Sequence, residues 1–147
     1  MARAGQAGIL HLAAHAELNE ANPLFTRIKL APDGGDLEMH EVFGLDLSRT
    51  GLVVLSACST QMGKLSAGDE LEGLTRAFLY AGTPAVVASL WDVADEPSTS
   101  FFMQRFYTHL RQRTGRAEAL RLAQRETRRR FPRPYQWAAF VLTGDGR

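Results

Sequence analysis

The stretch that most constrains this chain is Leu52-Val-Val-Leu55, a continuous apolar run closed by Ser56-Ala-Cys58. A short apolar run without polar alternation reads as a strand buried on both faces, the state of a parallel strand between two helical layers. The run stops at small residues, and there stands the chain's one cysteine. A reactive side chain at the carboxyl end of a buried strand occupies the place where open α/β sheets hold their ligands. Free cysteine is also among the most buried residue types, so an inert core thiol is the plain alternative. The ends of the neighbouring strands favour chemistry.

Three further segments read as buried strands. Residues 9–14 (Ile-Leu-His-Leu-Ala-Ala) end at His15-Ala16, residues 84–91 end at Trp91-Asp92, and residues 137–142 close the chain. Residues 25–30 and 37–39 flank Pro32-Asp-Gly-Gly35, which predicts a hairpin with an Asp-Gly turn. Residues 41–45 predict one helical turn. A helix is expected over 68–81, with Leu71, Leu74, Phe78 and Leu79 at helical spacing and Gly82 as its stop. Asp95 as cap and Pro97 in the first turn open a second helix to about 113, with Phe102, Phe106 and Leu110 on one face. A third runs over 117–130 and ends before Pro132 and Pro134. Buried strands alternating with helices of this length make a largely parallel sheet with helices on both faces. A chain of 147 residues is one domain with a real core.

Charge is distributed unevenly. Residues 1–104 hold six Lys and Arg against thirteen Asp and Glu, whereas residues 105–133 hold ten arginines against Glu118 and Glu126. A basic block can face nucleic acid. This one has no aromatic residue interleaved within the helix and no reader motif, so it reads as a solvated helix face and no nucleic-acid partner is expected. One cysteine excludes a disulfide framework and a cysteine-based zinc site. No apolar run approaches the ~20 residues of a membrane span, and residues 1–14 do not make a secretory signal. A reducing, cytoplasmic setting is the expectation.

In a parallel sheet the carboxyl ends of the strands share one edge, so His15, Cys58 and Trp91-Asp92 converge there. A histidine beside a thiol raises its thiolate fraction and later protonates the leaving amine. Backbone N–H groups after His15 and Cys58 could face the oxyanion of a tetrahedral intermediate. His11 reads as a satisfied core histidine, and His40 and His109 have no evident partner. No two candidate ligands stand at metal-binding spacing, so no metal is expected. The Gly-x-Ser-x-Gly elbow and a phosphate-binding loop are both absent.

These residues carry a resemblance. His11-Leu-Ala-Ala-His15 followed by Leu52-Val-Val-Leu-Ser-Ala-Cys58-Ser-Thr60 resembles the CHAT domain, a branch of the caspase-like cysteine peptidases. The likeness continues through residues 73–82, 85–91, Phe106-Tyr107, 119–124 and 137–142, and so covers residues 9–144. It implies a caspase-like three-layer sandwich, a His15/Cys58 dyad, and peptide-bond cleavage in a protein substrate without metal or cofactor. It also implies a bacterial-type cytoplasmic protein, often attached to helical repeats. The family usually has glycine after the catalytic histidine, where this chain has Ala16, and it has further strands before the histidine strand.

Two readings follow. In the preferred one the chain is a cysteine endopeptidase: Cys58 attacks, His15 moves the proton, and the N–H groups of Cys58 and Ala16 hold the oxyanion. Trp91, Asp92 and Asp95 are candidate walls of the specificity pocket, with helix capping as the alternative for Asp95. In the other reading the chain is a weakly active or inactive CHAT-like interaction module or fragment that needs a partner segment. Residues 1–147 are expected to be one CHAT-like domain truncated at its amino end. The strand at 9–14 should then expose a pairing edge, to be met by a second copy or a partner chain.

Overall fold

In the computed structural model the described residues are all except 1–4, 6, 20, 31–34, 60–66, 92 and 94–95; for 57–59 and 67–71 the backbone alone is described. Twelve short elements follow in chain order. They are β1 (Ile9–Glu17), a 3-10 turn (Pro23–Phe25), β2 (Arg27–Lys29), β3 (Asp36–Glu38), α1 (Met39–Val42) and β4 (Leu52–Ser59). Then come α2 (Ala67–Tyr80), β5 (Ala85–Ser89), α3 (Pro97–Arg111), α4 (Arg116–Arg130), α5 (Pro134–Trp137) and β6 (Phe140–Gly144). The strands form one mixed sheet in the order β3-β2-β1-β4-β5-β6. The pairs β1·β4 and β4·β5 are parallel, while the hairpin strands and β6 are antiparallel to their neighbours.

Two cores sandwich this sheet. On one face α1 and α2 bring Met39, Val42, Leu74, Ala77 and Phe78 against Leu12, Ile28, Leu37, Val53, Leu55, Val86 and Ala88. On the other, α3 and α4 bring Phe102, Phe106, Ala119, Leu120 and Ala123 against Leu52, Val54, Ala85, Val87 and Phe140. Phe102 is stacked between Phe106 and Phe140, with centroids 6.2 and 4.7 Å away. Burying one such ring stabilises the fold by about 1.5–3 kcal/mol.

The elements stop where local chemistry stops them. Gly82 ends the turn after α2 at φ 108°, and a Cβ there would lie 3.0 Å from the backbone nitrogen of Ser48. Gly144 ends β6 at φ 104°, and a Cβ there would lie 2.3 Å from the carbonyl oxygen of Pro84. Only glycine fits either position without strain.

Several expectations are corrected. β1 is buried on one face only: Leu12 and Ala16 are buried while Ile9, His11, Ala13 and His15 are exposed. The helices of the second core stand over β4, β5 and β6, and only the rim of α3 reaches β1, at Tyr107. The strand at the carboxyl end begins at Phe140, not 137, because Pro134 opens a helical turn first. The single turn near 41–45 lies earlier, at Met39–Val42, with a capping box between Glu38 and Glu41. Glu96 is the residue before α3, and its side chain makes no capping bond. The Asp-Gly turn of the hairpin lies outside the described residues, though the two strands it joins pair as expected.

Candidate functional site

The site is built by register. β1 and β4 pair over eight positions from Ile9↔Leu52 to Ala16↔Ser59, and within that ladder His15 stands opposite Cys58. Neighbouring strands lie about 4.8 Å apart, and paired positions belong to the same face of the sheet. Both residues therefore lie inside the last rungs of their strands, not on turns beyond them: β1 runs on to Glu17 and β4 to Ser59. His15 is exposed. The side chain of Cys58 lies outside those described, so the distance from ring to sulfur is not given by this structure.

The rung extends past this pair. On its other side His15 pairs with Lys29 of β2, and Lys29 pairs with Asp36 of β3. The next rung on the same face, two residues along, holds Glu17, Arg27 and Glu38. Four charged side chains knit this corner: Arg27 to Glu17 at 2.7 Å and Asp36 at 3.3 Å, Lys29 to Asp36 at 3.1 Å and Glu17 at 3.5 Å. The hydrogen bond from Arg27 is the main reason the Glu17 carboxyl lies below its ordinary range. A polar cavity of about 350 Å³, lined by Glu17, Leu18, Asn19, Phe25, Arg27 and Glu38, opens just beyond His15.

Ala16 is fully buried, with Ile28 in register on one side and Ser59 on the other. Its methyl group belongs to the sheet face opposite that of His15, and its backbone has strand partners on both flanks. Trp91 follows β5. The β4–β5 register, Val53↔Val86 to Leu55↔Ala88, brings position 91 level with Cys58 when it is continued past its last pair. The Trp91 ring stacks on Tyr135 at 6.1 Å, and its indole N–H donates to the Tyr135 carbonyl at 3.3 Å. Asp92 and Asp95 lie outside the described residues.

The remaining histidines all have partners. His11 is not a core residue. It shares the exposed face of β1 with His15, and its Nδ1 lies 2.8 Å from the Tyr107 hydroxyl of α3. Enclosure against that ring lowers the His11 pKa, and burial pushes the Tyr107 phenol up to about 12. Nothing in the sequence joins residues 96 positions apart, which is why this pair was missed. His109 is buried and bonds Glu126 at 3.1 Å across α3 and α4, where Arg105 also binds Glu126. His40 lies 3.1 Å from Glu38. Among the described residues no group of three or more His, Cys, Asp or Glu is placed to hold a metal ion. Nor is any described helix long and apolar enough to cross a membrane.

Comparison with known proteins agrees with this architecture. The family model described as the CHAT domain matches residues 1–145. Tetratricopeptide repeat protein 28 of Mus musculus and its Homo sapiens counterpart are each 37% identical over 98 residues, covering 64% of this chain. The match spans only 4% of the length of either relative. Both relatives are mammalian, so the bacterial character implied by the resemblance gains no support from them.

Proposed function

This chain belongs to the CHAT domain family, and from that premise we propose that it is a cysteine endopeptidase of the caspase-like type acting on a protein substrate. The observation that carries the reading is the ladder register that sets His15 opposite Cys58 on adjacent parallel strands. In this mechanism His15 takes the proton from the Cys58 thiol, and the thiolate attacks the scissile carbonyl. The imidazolium then returns the proton to the departing amine, leaving an acyl-enzyme for water to hydrolyse. The N–H of Cys58 adjoins the tetrahedral carbon and serves the oxyanion. Ala16 can add its own N–H only if the end of β1 opens, because it is flanked by strands on both sides. Trp91, level with the nucleophile, would form a wall of the substrate cleft, and Asp92 and Asp95 follow it in sequence. No metal or cofactor takes part in these steps.

The position of Ala16 also favours a second reading, a CHAT-like interaction module with weak or no turnover, since the backbone of a residue held between two strands is poorly placed to serve an oxyanion. Alkylation separates the two. In the peptidase, Cys58 reacts with iodoacetamide at pH 6–7 faster than a model thiol of pKa about 8.5, and His15→Ala removes that advantage. Equal rates in parent and variant favour the module. Cleavage of a denatured protein substrate, lost in Cys58→Ala, is the parallel readout.

The partners follow from the fold. β2 pairs with β1 only from His15 to Glu17, so the edge of β1 before His15 has no paired strand among the described residues. We place a further strand there, from a second copy or a partner chain. The tetratricopeptide repeat relatives support a helical-repeat segment acting alongside the domain, and we propose a cytoplasmic setting for it. Sedimentation across a concentration series tests the strand partner: a monomer at every concentration, with those amides protected from exchange, overturns self-pairing.

A further inference from the structure

The arginines of α3, α4 and the segment that follows do not all behave alike. Arg105, Arg116 and Arg121 each have a carboxylate partner, in Glu126, Asp145 and Glu118. Arg128, Arg129, Arg130 and Arg133 are exposed and have no ion pair among the described residues. They crowd the end of α4, where aromatic rings from other segments gather. Arg128 lies over Trp137 at 5.4 Å, and Arg130 over Phe101 at 5.2 Å and Phe131 at 5.6 Å. Interleaving sought within one helix is thus supplied by α3, α5 and the residue after α4.

This shelf lies at a definite place in the fold. β6 runs antiparallel to β5 with Phe140 opposite Ser89, so the segment before β6 lies at the carboxyl edge of β5. The Leu90 N–H donates to the Ala139 carbonyl at 2.7 Å, and Trp91 stacks on Tyr135. The same edge holds the ends of β1 and β4, with His15 and Cys58. The arginine shelf and the dyad therefore share one edge, with Trp91 between them.

A cation at a helix carboxyl end suits the helix dipole, and one or two arginines would satisfy it. Four without counter-ions, held beside a substrate-facing edge, form a positive field aimed at a ligand. The rings discriminate between ligands. Trp137, Phe101 and Phe131 have arginines over them and Trp91 is stacked on Tyr135, so these ring faces serve as props for the guanidinium groups and not as platforms for bases. The shelf offers planar, charged donors, which suit carboxylates.

We propose that Arg128, Arg129, Arg130 and Arg133 form an exosite that binds an acidic segment of the polypeptide substrate. The inference takes the peptidase reading as its premise in calling that polypeptide a substrate. The binding test does not depend on turnover, because it uses Cys58→Ala protein. A fluorescein-labelled peptide with a run of glutamates, its glutamine counterpart, and a labelled oligothymidylate of matching charge are titrated by anisotropy. The acidic peptide should bind about tenfold more tightly than the neutral one, a preference that fades as added salt shortens the screening length. Arg129→Gln with Arg133→Gln, which removes two charges and leaves the ring contacts of Arg128 and Arg130 in place, should reduce the preference to about twofold. Arg128→Lys with Arg130→Lys keeps the charge and should retain most of it. Equal binding of the two peptides, or a preference unchanged in the Gln variant, overturns the exosite. Tighter binding of the oligothymidylate overturns it in favour of a nucleic-acid surface. If binding holds while no substrate is cleaved, the peptidase reading alone fails.

Discussion

β1 and β5 look alike as sequence and differ as structure. Both are short runs of apolar and small residues in the same sheet, one on each side of β4. All five residues of β5 are buried, whereas β1 alternates, with Ile9, His11, Ala13 and His15 exposed. The cause lies elsewhere in the chain. α3 and α4 cover one face over β4 to β6, and only the rim of α3 reaches β1, through Tyr107. Burial of a strand is thus set by how far its covering helices extend, and the covered half carries stability while the open half carries the proposed site.

The widest test of this contrast is a pair of truncations. Phe106 is fully buried in the covered half, and Phe106→Ala should cost about 3–5 kcal/mol in urea denaturation. Ile9 is 42% exposed on the open half, and Ile9→Ala should cost less than about 1 kcal/mol. Similar losses in the two variants would mean that another segment covers β1 in solution. Next in size is Gly144→Ala, where positive φ and the nearby Pro84 carbonyl should cost about 2 kcal/mol and loosen β6 from β5. Amide exchange of β5 reads that loosening directly, and β1 amides should be unaffected.

A smaller effect is expected from His11. Its folded pKa is lowered by enclosure, so below the unfolded value of 6.5 the unfolded chain takes up the proton more readily. The stability this group confers is complete above pH 6.5 and is lost as pH falls through the folded value. Thermal melts at pH 7.5 and 5.5 should differ by less in His11→Gln than in the parent. An identical difference in both proteins would remove Tyr107 as the agent that encloses it. The smallest effect belongs to the exposed ladder beside His15: Glu17→Gln should move the melting temperature by no more than about 1 °C, since such pairs are screened by solvent.

What the sequence made legible follows the same division. Leu52-Val-Val-Leu55, the stripe through Leu74 and Phe78, the stop at Gly82 and the Pro97 start were readable because each depends on residues close in the chain. The alternation of β1 was not. Ile9-Leu-His-Leu-Ala-Ala14 has no polar residue but histidine to mark an outward face, and that face is open because residues 97–130 cover β4 to β6 instead. The start of β6 was misplaced because Trp137-Ala-Ala is equally apolar on a turn or in a strand. At the site, the meeting of strands 9–17 and 52–59 could be foreseen from parallel packing. The rung through Lys29 and Asp36 could not, since it depends on hairpin register. The arginine shelf escaped because its rings come from three separate segments.

The rung that pairs His15 with Cys58 bears on control. In a site assembled from loops, a proenzyme can keep acid, base and nucleophile apart and bring them together on demand. Here the two positions are fixed by consecutive strands of the sheet, so separating them would mean unzipping β1 from β4. Under the proposed peptidase reading such a pair would stay cocked, and a brake on it would have to work by blocking approach, by withholding the oxyanion donors, or by keeping the open flank of β1 occupied.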